Sequence, residues 1–210
     1  TVLGDSEQAL FKPLELPEQL LERLSKTLVA KHPNLISLRR SYRSTKEITD
    51  FAKALLPDDD QIMSFTRHGQ RPALLVRSST EAIEQALQDS VEKYQEQYET
   101  VAILTKNQEQ AYRQLRHQFA NVHLLDMNDT ELPSGILVLP VYLAKGLEFD
   151  SVIAYDVSQA NLEGTDEIGM LYTMATRAMH DLTMISNGQV STAINEKASR
   201  QLTIEHELIR

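Results

Sequence analysis

The chain has 210 residues, 41% of them hydrophobic, enough to bury the core of one domain or of a domain with an appendage. Its 21 Lys and Arg against 30 Asp and Glu leave a formal charge of -9, which argues against a free-standing nucleic-acid binder, since such proteins carry basic stripes that release counterions from phosphates. There is no cysteine, so disulfides, Cys-ligated zinc and thiol catalysis are excluded together, and with no apolar run of membrane-spanning length and no signal-type amino terminus the expectation is a cytoplasmic protein that does not engage a membrane.

In chain order, Val2-Leu3 before Gly4-Asp5 reads as the end of a strand, so residues 1–16 are expected to close a domain whose bulk lies upstream. A helix follows from Pro17, with Leu20, Leu21, Leu24, Leu28 and Val29 in steps of three and four and Pro33-Asn34 closing it. Leu35 to Leu38 reads as a buried strand. Ser44-x-x-Glu47 has the form of a capping box ahead of a helix whose apolar face is Ile48, Phe51, Ala52 and Leu55. Pro57 and Asp58-Asp59-Asp60 form a solvated loop. Ala73 to Val76 is a strand, Ser79 to about Tyr98 a polar-faced helix, Val101 to Leu104 a strand, and Gln108 to Phe119 a helix. Further strands are expected at Val122 to Leu125, Ile136 to Leu139 and Val152 to Tyr155, then a helix over Ile168 to Met179 and a last central strand at Leu182 to Ile185 before the Asn187-Gly188 turn. After Gln189 the chain is polar with a weakly helical pattern. Strands alternating with helices in this rhythm predict an α/β fold of three layers with a mostly parallel sheet.

Two arginines, Arg43 and Arg177, fall at the edges of helical elements, where side chains of such folds project into a cleft. A guanidinium stays charged and offers two parallel bonds to phosphate oxygens, which suits phosphoryl transfer. Between the Ile136 and Val152 strands, Lys145 supplies a cation, Gly146 lets the backbone approach a ligand, and Glu148 offers an acceptor for ribose hydroxyls. The histidines show no paired metal-ligand spacing, so no metal site is expected; His180 beside Asp181 reads as a solvated helix end, and Met170, Met174 and Met179 as packing residues.

Four strings in order resemble the second motor half of UvrD/Rep-like superfamily 1 helicases: Thr1 to Gln8, Leu38 to Ser44, Ala144 to Asp150 and Leu171 to Ala178. Val101 to Asn107 with its following helix is similar to the element lying between the second and third of these. The resemblance implies a RecA-like carboxy-terminal motor domain at residues 17–187, a P-loop NTPase fold without a Walker A loop, flanked by the end of the first motor domain at 1–16 and an extension at 188–210. It further implies an ATP site in which Gln8 senses the γ-phosphate, Arg43 contacts it, Gly146 and Glu148 approach the nucleotide, and Arg177 serves as the finger on the transferred phosphate.

Where the family has Thr-x-His ahead of Ala-Lys-Gly-Leu-Glu, this chain has Pro140-Val141-Tyr142. Tyr142 can stack on a base or pack against its own sheet, and with Lys145 it is the expected nucleic-acid contact. The short span from Tyr42 to Pro140 leaves no room for a large accessory domain. The strings around Lys145 and Arg177 resemble the RNA-polymerase-associated HelD or helicase IV-like group. No Gly-x-x-x-x-Gly-Lys-[Ser/Thr] and no Walker B Asp-Glu pair is present, so ATP and Mg2+ are expected to be bound together with an amino-terminal motor domain in cis, this chain alone being inactive. The expected partner is single-stranded DNA, or else RNA polymerase in a remodelling role.

Overall fold

A computed structural model of the chain describes residues 10, 17–27, 40–56, 63–64, 66–110, 115, 118–119, 121–129, 131–163 and 165–207. Gln8, the Leu35–Leu38 segment and the Pro57–Asp60 loop lie outside the described residues. Helix α1 spans Pro17–Thr27, and two short strands, β1 (Arg40–Ser41) and β2 (Met63–Ser64), pair in parallel around α2 (Lys46–Leu55).

The main sheet contains β3 (Ala73–Arg77), β4 (Thr100–Thr105), β5 (Val122–Leu124), β6 (Gly135–Pro140), β7 (Phe149–Tyr155), β8 (Ala178–Asn187) and β9 (Thr203–His206). Their order is β5-β6-β4-β7-β8-β3-β9, every pair parallel, which is the α/β sheet expected from the alternation of elements. Parallel strands covered on both faces read as continuous apolar runs, and Val101–Leu104, Ile136–Leu139 and Val152–Ala154 are all buried. The two-residue period then divides them. Ala102, Leu104, Leu137, Leu139, Val152 and Ala154 face the core built by α2 and by α6 (Glu167–Ala175). Val101, Ile103, Ile136, Val138 and Ile153 face α3 (Thr80–Gln95) through Ile83, Leu87, Val91 and Tyr94. Leu10 joins the first of these cores.

Ser79 caps α3 by accepting the Ala82 N–H at 3.2 Å, and Asp166 caps α6 by accepting that of Gly169 at 3.1 Å. The capping box expected at Ser44 and Glu47 does not form. Thr45 is the N-cap and makes no side-chain cap bond, because Ser44 is buried and its hydroxyl donates across the fold to the Ala178 carbonyl at 2.6 Å. Glu47 is drawn outward to the Gly69 N–H, at 2.8 Å, and to His68.

Three further expectations are corrected. The helix expected over Ile168–Met179 ends at Ala175, and Ala178 already pairs with Phe149 as the first residue of β8, so Met179 is a strand residue. His180 is likewise in β8 and not at a helix end; its ring stacks on Tyr98, with centroids 5.5 Å apart and planes within 4°. Beyond Gln189 the chain makes a π-type turn at Ile194–Ala198 and a 3-10 turn at Ser199–Gln201, then enters β9 alongside β3. Residues 188–207 thus contribute an edge strand to the sheet, and Ile194, Ala198 and Leu202 to its core. Of the helix expected over Gln108–Phe119, α4 (Gln108–Gln110) is described, and beyond it buried Leu115, whose carbonyl accepts the Gln118 N–H at 3.2 Å.

Candidate active site

Pro140 ends β6 and Phe149 begins β7, and both strands pair with β4. Leu104 sits opposite both Leu139 and Ala154, so Pro140 is level with the end of β7 and the intervening residues must travel back along the sheet to reach Phe149. They do so in a run of turns, 141–146, in which Gly146 has φ +88°, a backbone state that L side chains rarely adopt. Tyr142 therefore lies at the carboxy-terminal end of the strands, and Glu148 at the amino-terminal end. Tyr142 is 37% exposed and its hydroxyl donates to Gln108 Oε1 at 3.4 Å, while Lys145 is exposed on the same turns. Nearby, the ammonium of Lys106 donates to the carbonyls of Asn161 and Glu163 at 2.5 and 3.2 Å.

At the amino-terminal edge, three of the residues singled out from the sequence converge. Arg43, in the turn before α2, places Nη2 2.5 Å from Glu148 Oε1 and donates Nη1 to the Thr176 carbonyl at 3.3 Å. The side chains of this pair are 31% and 45% exposed, so a ligand arriving at the edge meets them, whereas Arg43 Nε is buried without a hydrogen-bond partner. Arg177, in the turn between α6 and β8, is 1% exposed. Its Nη1 donates to the Leu147 carbonyl at 3.1 Å and its Nη2 to Thr176 Oγ1 at 3.2 Å, bracing the backbone next to Glu148 from beneath.

The two arginine-bearing turns are stitched together by backbone as well. Thr45 N–H donates to the Met179 carbonyl at 3.2 Å, Phe149 N–H to the Arg177 carbonyl at 3.0 Å, and Ser44 Oγ to the Ala178 carbonyl. Arg67, which nothing in the sequence pattern singled out, completes this seam: one of its terminal nitrogens donates to the carbonyls of both Arg43 and Met179. Two charges flank the turn. Lys46 bonds Asp50, and that bond and charge hold its ammonium above the usual lysine range. Burial pushes the Glu47 carboxyl up, but its bonds from His68 and Gly69 outweigh this and hold it below the usual carboxylate range. On the other face of the sheet, Asp150 accepts from Thr100 N and Oγ1 at 2.9 and 2.8 Å, and Asp181 from the Tyr98 hydroxyl at 2.6 Å.

Chemically, the edge presents a part-exposed guanidinium with a carboxylate as its counterion. The planar Arg43 fork is accessible, already partnered by a carboxylate, and can exchange that carboxylate for phosphate oxygens. Among the described residues, no group of three or more His, Asp or Glu side chains is placed to hold a metal ion.

A family model described as the UvrD-like helicase C-terminal domain matches residues 135–185, from β6 into β8, a segment that contains Tyr142, Gly146, Glu148 and Arg177. The crystal structure of the C-terminal domain of a possible DNA helicase from Lactobacillus plantarum WCFS1 is similar with 32% identity and a TM-score of 0.67, covering 78% of this chain and 98% of that one. A complex of the arterivirus helicase nonstructural protein 10 with DNA is similar with 10% identity and a TM-score of 0.45, covering 77% of this chain and 37% of that one. No curated protein sequence matches the chain.

Proposed function

Because the chain belongs to the family of UvrD-like helicase C-terminal domains, we propose that it is the second motor domain of an ATP-dependent DNA helicase. ATP is bound in a cleft between its Arg43, Glu148 and Arg177 edge and an amino-terminal motor domain of the same polypeptide, which supplies the phosphate-binding loop and the magnesium ligands. The observation that carries this reading is the convergence of Arg43 and Arg177, from distant parts of the sequence, on either side of Glu148.

The roles are those that the family resemblance implies, and the contacts of Arg43, Glu148 and Arg177 support them. Arg43 leaves Glu148 for the γ-phosphate, and Glu148, released, accepts from a ribose hydroxyl. Gly146 gives the preceding turn the backbone state that brings Glu148 to the edge. Arg177 holds the Leu147 carbonyl in the present form and reaches the transferred phosphate when the Leu147-Glu148 segment shifts on cleft closure. For Gln8, outside the described residues, the resemblance implies a further γ-phosphate contact. Tyr142, at the opposite end of the strands, and Lys145, exposed on the turns that lead back from it, face the nucleic acid.

The test is the ATPase rate of the full-length protein alone, with single-stranded DNA and with RNA polymerase core. The expected result is stimulation by DNA, with Arg177→Ala lowering turnover by about a thousandfold, the scale of arginine-finger losses. No turnover by the intact protein overturns the reading, and near-wild-type turnover by the variant removes Arg177 from it. Stimulation by polymerase alone would assign the motor to remodelling of a transcription complex.

A further inference from the structure

We infer that Arg67 is a positioning residue for the ATP site, locking Arg43 to the strand that follows Arg177; the inference rests on the function proposed above. Arg43 and Arg177 belong to turns that meet only in the folded chain, and two groups acting on one phosphate must be held in a fixed relation, since displacements of about 1 Å cost on the order of a hundredfold in rate. Arg67 spans that junction. A single terminal nitrogen of its guanidinium donates to the carbonyl of Arg43 itself and, at 2.8 Å, to the carbonyl of Met179, two residues beyond Arg177.

Arg67 is itself fixed in two ways. Its own carbonyl accepts the Lys46 N–H at 2.8 Å, tying it to the first turn of α2. The next two residues are held by Glu47, which takes the Gly69 N–H at 2.8 Å and lies 2.9 Å from His68 Nδ1. Gly69 permits this approach, because a Cβ there would stand 2.6 Å from Thr45 Cγ2. Both bonds run through Nη2, and Arg67 Nε is buried without a hydrogen-bond partner. An apolar side chain in this place would avoid burying that unpaired donor. What it would lose is the bridge between the two turns.

A positioning role also explains why the residue is silent in the sequence. Arg67 acts on backbone carbonyls, which any residue provides, and touches neither Glu148 nor the guanidinium of Arg43 in the described contacts.

The test uses the full-length protein with Arg67→Met, which keeps the length of the stem and removes the donors, and Arg67→Ala, which leaves space for a free guanidinium ion. Arg67→Met is expected to lower kcat by about tenfold to a hundredfold with KM for ATP nearly unchanged, and millimolar guanidinium is expected to restore part of the Arg67→Ala rate without raising that of the wild type. Wild-type kcat in Arg67→Met overturns the inference. So does a loss that guanidinium does not restore and that parallels a drop in melting temperature, because that pattern marks a purely structural residue. Wild-type protein that hydrolyses ATP while Arg67→Met does so equally sinks only this inference; wild-type protein that hydrolyses none, or an active Arg43→Ala, removes the proposed site and the inference together.

Discussion

Two glycines near the site are required for opposite reasons, and the difference is measurable. Gly146 has φ +88° but open space where a Cβ would stand, so Gly146→Ala meets no neighbour and costs only backbone strain, about 1–2 kcal/mol. Asparagine tolerates this region better, so Gly146→Asn should recover part of the loss in a denaturant unfolding series. Gly69 has no such backbone requirement, yet its Cβ would collide with buried Thr45. Gly69→Ala and Gly69→Asn should therefore both destabilise by about 1–3 kcal/mol, the larger residue no better than the smaller. If asparagine failed to improve on alanine at Gly146, strain at that turn would not be what makes glycine necessary there.

At the scale of elements, α3 is fastened to β8 by one buried polar contact, Tyr94 Oη to Thr183 Oγ1 at 2.6 Å. Tyr94→Phe leaves the threonine hydroxyl buried without that partner, and Thr183→Val does the same to the phenol. Each should cost about 1–3 kcal/mol, and the double variant clearly less than the sum, since no unpaired hydroxyl remains; strict additivity in unfolding experiments would mean that the bond contributes nothing. Elements of this kind were legible in sequence to the degree that packing wrote them. The strands β4, β6 and β7 are continuous apolar runs because both faces are buried, and α2 and α3 keep a helical period because one face is not. The end of α6 was invisible because every residue from Gly169 to Ala175 is buried, so no period marks where helix gives way to strand. Strand β9 was invisible for the opposite reason: all four residues are exposed, and an edge strand asks only for backbone pairing. The same contrast holds at the candidate site. Arg43, Gly146, Glu148 and Arg177 lie in short strings whose residue types suit phosphate and ribose, whereas Arg67 works through carbonyls and leaves no pattern.

For the molecule as a whole, the core on the α3 face of the sheet ties stability to alkaline pH. Tyr94 and Tyr155 lie in the core beneath α3, and Tyr98 packs against it. Burial is the main reason that the Tyr94 and Tyr155 phenols are each pushed up to about 12, and burial together with its bond to Asp181 raises that of Tyr98 as well. In the unfolded chain a tyrosine loses its proton near pH 10. Between about pH 10 and 12 the unfolded state therefore binds fewer protons than the native one, and stability must fall as pH rises, by at most about 1.4 kcal/mol per pH unit for each such tyrosine. Below pH 10 the contribution is complete and the profile should be flat with respect to these groups. The Lys46 ammonium, raised by Asp50, loses its bond in the same range, but it is exposed and its share is screened. Urea unfolding at intervals from pH 8 to 12 separates the sources: the Tyr94→Phe, Tyr155→Phe double variant should show a shallower decline above pH 10, with its stability at pH 8 reduced by the lost Thr183 contact. An unchanged alkaline limb in that variant would place the sensitivity on Tyr98 and the exposed pairs, and the buried Tyr94 and Tyr155 would then not be where high pH first opens the sheet.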